Sequence, residues 1–525
     1  MKLPFFRQAA GPALPWAHLR RRLPSPVLAL VALALLLLAL LLGAIVALGS
    51  LSLTIGFTAL LLAVPVLFMF STRALLPLLF LMTFLVQGVM VEFLHIRLGA
   101  WLTSALAGLL LLRALLELTP VNRVKLVAPH AGSGMATAVY IASLAYLAFF
   151  FFSLSQGHAS TLQRFSSLRF AIPMFGVLFA LYWFRWPPAQ LRRLWWIFLA
   201  IVVLQVFPVI YQHFGPAKRL GWDAVTGTFG PNMSAAMVLA TVAAMSYALA
   251  RWNHGVSSRL LPLCMVPTGL LILLMGEVKA IVLWLPLALL IVLRRRVLRN
   301  IGTLFVYGIF ALVFMAGTFA AYKAMYWGEK GAAGNTLEEK LQKTGGYFFD
   351  VHEIHYRTGE ISRGAALYLW YTDPVPSTME RLIGYGPGAS LSSSGTGKGV
   401  VAARYRSLSI NPIALAQLLW DVGILGALAF LTMLGIGLAA GFRLLRSGRG
   451  TAEERAMTDT ATAMLVLYAS TVVYNRALLD EPTVQLLFFF CLGCIVQVWR
   501  FGQTADAVRH DGLKGGTDRL VRHAL

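Results

Sequence analysis

Charge is what this chain has least of. Only 12% of its 525 residues are Asp, Glu, Lys or Arg, while 58% are hydrophobic. Ordinary soluble domains carry roughly a quarter of their residues as charges, so this sequence lacks the polar surface that a soluble fold needs. Cysteine is nearly missing too. Cys264, Cys491 and Cys494 all sit in apolar runs, which excludes a disulfide framework and reads as small buried hydrophobes. Period-two alternation is absent from runs such as Val27 to Leu48, which excludes a membrane β-barrel. No convincing internal repeat is present. What remains is an all-α polytopic membrane protein, because in hydrocarbon the backbone must satisfy its own hydrogen bonds.

Acidic residues are scarce, 21 against 44 Lys and Arg, for a net charge of +23. The placement of the excess argues against nucleic acid as a partner. It falls in short clusters between apolar runs: Arg20 to Arg22, Arg192–Arg193, Arg294 to Arg296 with Arg299, Arg443 to Arg455, and the tail beyond Arg500. That is a topology signal.

Runs of roughly 17–25 apolar residues match the thickness of a bilayer core. About fourteen are expected, at 26–48, 51–70, 74–94, 98–118, 135–155, 170–184, 194–212, 233–250, 259–275, 278–294, 301–322, 411–441, 459–474 and 483–500. The first resembles a signal peptide but is too long and runs into a second span, so it is read as a retained helix. With residues 1–25 in the cytoplasm, the strongly basic loops up to the 501–525 tail fall on the cytoplasmic side. The even count puts both termini there. Spans one to eleven fill 26–322, and the last three fill 411–500.

The same topology leaves one long polar segment outside, 323–410. Loops of that length are functional or disordered. Ile354, Ile361, Leu367 and Trp370 recur at helical spacing, so part of it is expected to be helix.

Four elements stand out for chemistry. Thr226-Gly227-Thr228-Phe229-Gly230-Pro231-Asn232 precedes a span of small residues, where Asn232 is placed to cap the helix. Glu277 and Lys279 sit in a tight outward turn between two spans, where a charge pair is costly unless it faces protein or water. A mutual salt bridge and snorkelling of Lys279 are the plainer explanations. Gly384, Gly386 and Gly388 fall within five residues, allowing close backbone approach or anion binding through amides. Around them stand Arg357, Arg363, Arg381, Lys398, Arg404 and Arg406, against the charge bias of an outward loop. Finally, Gln417 and Asp421 share a helical face in Leu415-Ala416-Gln417-Leu418-Leu419-Trp420-Asp421-Val422-Gly423-Ile424-Leu425-Gly426.

In this order, these elements resemble the superfamily of O-antigen ligases and O-antigen or exopolysaccharide polymerases. Thr226 to Asn232 is similar to the family's Gly-Thr-Phe-x-x-Pro-Asn stretch. Glu277 to Lys279 lies where members often carry a basic residue. Gly384 to Gly388 looks like the Gly-x-Gly-x-Gly turn of the large outer loop. Gln417 to Gly426 is similar to the Leu-Gln helix that follows it. The likeness covers roughly the second half of the chain. Two positions depart from it. Ligases carry His-Asn before the Leu-Gln helix where this chain has Pro412 and Ile413, and Lys279 stands where Arg is frequent. Both departures favour a polymerase over a ligase.

The resemblance implies a metal-independent glycosyltransferase of the bacterial inner membrane. It would polymerise polyprenyl-diphosphate-linked repeat units at the periplasmic face, without a nucleotide sugar or other cofactor. Chain-length regulators or export proteins are the implied partners besides the bilayer and the lipid-linked glycan. The leaving diphosphate needs cations. Lys279 is the first choice, then Arg357, Arg363, Arg404 and Arg406, with Lys218 and Arg219 as further contributors. Asn232, Gly384, Gly386, Gly388 and Gln417 would line the glycan site. A general base is needed for the attacking hydroxyl. His352 and His355 are the candidates, expected to share a helical face, with Glu277 as the alternative. Asp480, Glu481 and Arg476, on the last outward turn, belong to the site or anchor the interface. Two histidines without further ligands do not make a metal site. The competing readings are an O-antigen ligase and, from another class, a transporter of lipid-linked glycan or other cargo.

Overall fold

A computed structural model describes residues 65–96, 99–118, 134–156, 160–215, 225–230, 234–276, 280–326, 345–393 and 397–502, with isolated positions such as His158 and Val278 between them. The chain divides into two compact units, Met1–Met69 and Phe70–Leu525. Of the first, only a helical turn at 65–69 and scattered helical positions are described. Everything below concerns the second.

Among the described residues, ten helices are long and apolar enough to cross a membrane. They are Thr72–Phe93, Gly99–Glu117, Gly134–Leu154, Gln163–Trp183, Pro188–Phe214, Ser234–Asn253, Ile301–Lys323, Gly423–Ser447, Ala452–Tyr474 and Pro482–Phe501. Two more expected spans form shorter helices, Leu260–Met275 and Ile281–Val297. The expected spans at 26–48 and 51–70 lie wholly or largely outside the described residues.

Several boundaries differ from expectation, and local chemistry explains them. The segment 161–171 is helical, not a loop: Ser160 and Gln163 form a capping box at its start. Pro173 then interrupts the helix before Phe175–Trp183 begins. Pro208 clashes with the carbonyl of Leu204, and the chain breaks at Gln205 between Pro188–Leu204 and Val206–Phe214. Thr451 and Glu454 form another capping box, so the helix of the expected 459–474 span starts at Ala452. The expected single span 411–441 is two helices, Ala414–Asp421 and Gly423–Ser447, split where Gly423 takes φ +70°.

The bundle is layered by exposure. The window of Pro482–Phe501 is 94% buried, against 6% for Ile301–Lys323. The first is therefore the core and the second a peripheral, lipid-type surface. Core contacts are aromatic: Trp195 stacks on Tyr247 at 4.5 Å, and Phe490 meets Phe80 at 4.8 Å.

Hydrogen bonds gather the connections into two ends. At one, the basic end, Arg73 donates to the Arg185 carbonyl, Arg251 meets Glu453, and Gln497 meets Trp186. At the other, the loop end, Ser153 donates to the Asp421 carbonyl, Gln163 to that of Lys398, and Arg363 to that of Tyr474. The described residues of 345–393 and 397–410 lie here. They form a hairpin, Ile354–His355 with Glu360–Ile361, a second small hairpin, Ser392–Ser393 with Gly397–Lys398, and helices Arg363–Thr372, Thr378–Ile383 and Val400–Arg404. Their apolar side chains share a small core with the 414–421 helix, including Ile361, Ala365, Tyr385, Val401 and Trp420.

Candidate functional site

The glycine turn wraps the end of the 414–421 helix. Gly384, Gly386 and Gly388 take φ of +86°, +99° and +89°, values that L side chains rarely adopt. A Cβ on Gly384 would lie 2.4 Å from the Asp421 carbonyl oxygen. The turn does bind an anion through its amides, but the anion is internal. The amide of Gly388 donates to Asp421 Oδ2 at 3.0 Å, and that of Ser390 to Oδ1 at 2.9 Å. The amides of Tyr385 and Gly386 donate to the carbonyls of Trp420 and Asp421. Asp421 thus fixes the turn. Burial pushes its carboxyl up to about 7, opposed by the amides of Gly388 and Ser390.

On one side of this joint is a buried cluster of donors. The guanidinium of Arg404 lies 5.0 Å from the Tyr385 ring and 5.8 Å from that of Trp420. Nη2 approaches Asp373 Oδ2 at 3.2 Å, an ion-pair distance without hydrogen-bond alignment. The nitrogens of Arg404, Nε1 of Trp420 and the hydroxyl of Tyr385 are buried and make no well-aligned hydrogen bond, although the Tyr385 hydroxyl lies close enough to Arg404 and Glu380 to interact with both. Trp420 is only 1% exposed. Leaving so many donors unsatisfied costs on the order of 1–3 kcal/mol each. Tyr405 donates its hydroxyl to Asp373 Oδ2 at 3.0 Å, and His158 approaches Glu380 at 3.7 Å on the far side of Tyr385.

On the other side is a cavity of about 580 Å³, its open mouth included. Aromatic rings, among them Tyr146, Phe175 and Phe489, make most of its wall, with Gln417, Asp421, Asp480 and Gln485 as polar lining. Asp480 accepts from Gln417 Nε2 at 2.9 Å and forms an ion pair with Arg476 Nε at 3.0 Å. Arg476 also donates to Asn411 Oδ1, and Asn411 to Ser390 Oγ, so the network returns to the glycine turn. Burial raises the Asp480 carboxyl, against the pull of Arg476. The neighbouring Glu481 is only partly covered, but its Oε2 is buried and unpartnered, and desolvation followed by the Asp480 charge pushes it up to about 8.

The expected site residues do not all converge. Glu277, Lys279 and Asn232 lie outside the described residues. His352 and His355 share no helical face, because residues 354–361 form a β-hairpin. Both are exposed: His352 lies against the Tyr368 ring and His355 pairs with Glu353 at 3.3 Å. Arg357 is exposed in the hairpin turn, and Arg406 is exposed at φ +52° with its carbonyl accepting from Lys398. Arg363 is half-buried and ties loop to bundle, 3.6 Å over the Tyr347 ring, its Nε donating to the Tyr474 carbonyl. Burial pulls its guanidinium down to about 10. Lys218 and Arg219 also lie outside the described residues. Of the named cations that are described, Arg404 alone combines buried nitrogens lacking hydrogen bonds with a place beside the glycine turn. Gln417 and Gly388 line the cavity.

The 225–230 part of the Gly-Thr-Phe stretch is wholly buried and works as a joint. Gln212 Oε1 accepts from the amides of Thr226 and Gly227, and Gln205 Oε1 from that of Thr228. Thr228 Oγ1 donates to the Phe84 carbonyl, in the π-helical stretch Met82–Val86. A π-helical turn shifts the regular backbone pairing and leaves room for such a contact. Sequence reasoning passed over Tyr385, Trp420 and Gln485. Their only sequence signal is polar atoms in otherwise apolar surroundings.

No protein-family model matches the chain, and neither does any curated protein.

Proposed function

We propose that this protein is a membrane glycosyltransferase that takes glycan from a polyprenyl diphosphate carrier and polymerises it. The observation that carries this reading is the Arg404 cluster. A buried guanidinium flanked by an indole N–H and a phenol, none in a well-aligned hydrogen bond, suits the oxygens of a phosphate group. Its place at the loop end of an apolar bundle suits a phosphate tethered to a membrane lipid. In this reading the loop end faces the periplasm, and the basic end, with Arg73, Arg185, Arg251 and Arg294, faces the cytoplasm. Both faces belong to the bacterial inner membrane.

The chemistry asked of the cluster is modest. Departure of the carrier leaves negative charge on the diphosphate, and preorganised donors that need not rearrange stabilise that charge as it grows. Arg404 supplies charge, and Trp420 and Tyr385 supply direction. The rings flanking Arg404 exclude water and strengthen its field. Asp373, held by Tyr405, orients the guanidinium without claiming a hydrogen bond from it. The glycine turn sets Tyr385 in place through its grip on Asp421.

The test is reconstitution of the full chain in nanodiscs with lipid-linked repeat units extracted from the host, read as a polymer ladder on gels. Wild type makes the ladder. Arg404→Gln loses it while inserting normally. A wild type that consumes no donor would sink the reading.

A further inference from the structure

We infer that the aromatic cavity on the opposite face of the 414–421 helix receives the acceptor sugar, and that Asp480 takes the proton from its attacking hydroxyl. This rests on the glycosyl-transfer reading above and adds the second substrate to it.

The chemistry of the wall is one-sided. Gln417 must turn its Nε2 toward Asp480, because a carboxylate only accepts. Gln485 must turn its Nε2 toward the Leu479 carbonyl for the same reason. Each amide therefore leaves its Oε1 buried without a partner, on a residue that lines the cavity. The two residues are 7% and 4% exposed, so bulk water does not satisfy those oxygens. Asp421 and Asp480 add carboxylate oxygens to the same wall. A ligand for this surface must bring donors. Phosphate brings none when fully ionised and would meet two carboxylates. A sugar brings several hydroxyls, and its C–H face suits rings such as Phe175 and Phe489. A cation also suits acceptors, but among the described residues no three His, Cys, Asp or Glu side chains are grouped to hold a metal.

The two carboxylates divide the work. Both oxygens of Asp421 already accept backbone amides that hold the glycine turn. Asp480 is held by two side chains, one per oxygen, and keeps a lone pair on each. Arg476, at 3.0 Å, orients it. In the step proposed, the acceptor oxygen bonds to the anomeric carbon of the donor as the carbon–oxygen bond to the diphosphate breaks. The electron pair leaves with the diphosphate toward Arg404, and the hydroxyl proton passes to Asp480 and then to water. Trp420, beside Arg404, and Asp421, on the cavity wall, are consecutive residues of one helix.

Full-length variants in nanodiscs test this, with two readouts: transfer from lipid-linked repeat units, and binding of polyprenyl diphosphate alone. Asp480→Asn keeps the shape and should lower transfer about 100-fold or more, the usual contribution of a general base, with polyprenyl diphosphate binding unchanged. Gln485→Leu, which removes the acceptor together with the Nε2 bond to the Leu479 carbonyl, should raise the KM for acceptor about tenfold and leave kcat nearly unchanged. An active wild type with Asp480→Asn within about threefold of it overturns this inference and leaves the glycosyl-transfer reading standing. So does Gln485→Leu with an unchanged acceptor KM. A wild type that transfers nothing overturns both.

Discussion

The two ends of the bundle both bury charge, and they do so differently. At the basic end the buried acids Glu453 and Asp459 face cations, although Glu453 Oε2 and Arg251 Nε make no hydrogen bond. Glu453 pairs with Arg251 and accepts from the Tyr247 hydroxyl at 2.7 Å. Asp459 meets His254 at 2.8 Å and Arg294 at 3.1 Å. These pairs bind three helices together, Ser234–Asn253, Ile281–Val297 and Ala452–Tyr474. At the loop end, Asp421, Asp480 and Glu481 have one arginine, Arg476, among them, while Arg404 has an acid at ion-pair distance but no hydrogen bond. A matched cluster is a joint. An unmatched one costs folding energy, and a ligand that supplies the missing partners recovers it.

The sharpest way to break the comparison is to damage each end in turn. At the loop end, Arg404→Gln should cut transfer about 10²–10³-fold, the loss typical of removing one donor at a developing anion. Its thermal unfolding in nanodiscs should stay near wild type, since the change removes an unsatisfied charge. At the basic end, Glu453→Gln strands Arg251 and should cost about 3–5 kcal/mol of stability. The folded fraction should keep its kcat. If Glu453→Gln lost activity without losing stability, the division of labour between the ends would be wrong.

Gly384→Ala comes next. It forces a Cβ into a φ of +86°, 2.4 Å from the Asp421 carbonyl oxygen, and should cost about 2–3 kcal/mol, measured by thermal unfolding. Activity should fall with it, because the turn also sets Tyr385.

The smallest effect expected is a pH dependence confined to the loop end. Asp421 and Glu481 are raised to about 7 and about 8, above the unfolded carboxylate values of about 4. The stability they contribute is fully present below pH ~4 and is lost as pH rises through 7 to 8, because unfolding then releases carboxyls that ionise more readily. Hydrogen exchange should accordingly show residues 384–390 and 477–481 opening more readily at pH 8 than at pH 5. Equal protection at both would contradict the assignment.

Much of this was legible in the sequence. Ten of the expected spans reappear as helices long enough to cross a membrane, because apolar length is a strong signal in a chain with so little charge. The break at Val422–Gly423 was not, since a glycine within an apolar run reads equally well as close packing. The glycine turn was noticed, but its anion was sought outside the chain. Asp421 lies 33 residues beyond Gly388 in sequence, and no local pattern joins them. His352 and His355 misled for the opposite reason. Their spacing fits a helix, and cross-strand pairing of Ile354 with Ile361 overrode it. Arg404 was one cation among several in the outer segment. Burial singled it out, and burial depends on the tertiary fold.

The central claim is that the Arg404 cluster holds the carrier's diphosphate. The most direct measurement is the affinity of purified full-length protein for polyprenyl diphosphate, compared between wild type, Arg404→Gln and Glu453→Gln. Arg404→Gln should weaken binding about tenfold or more, as loss of a charge-assisted contact does, while Glu453→Gln should bind like wild type. Equal affinity in wild type and Arg404→Gln would contradict it.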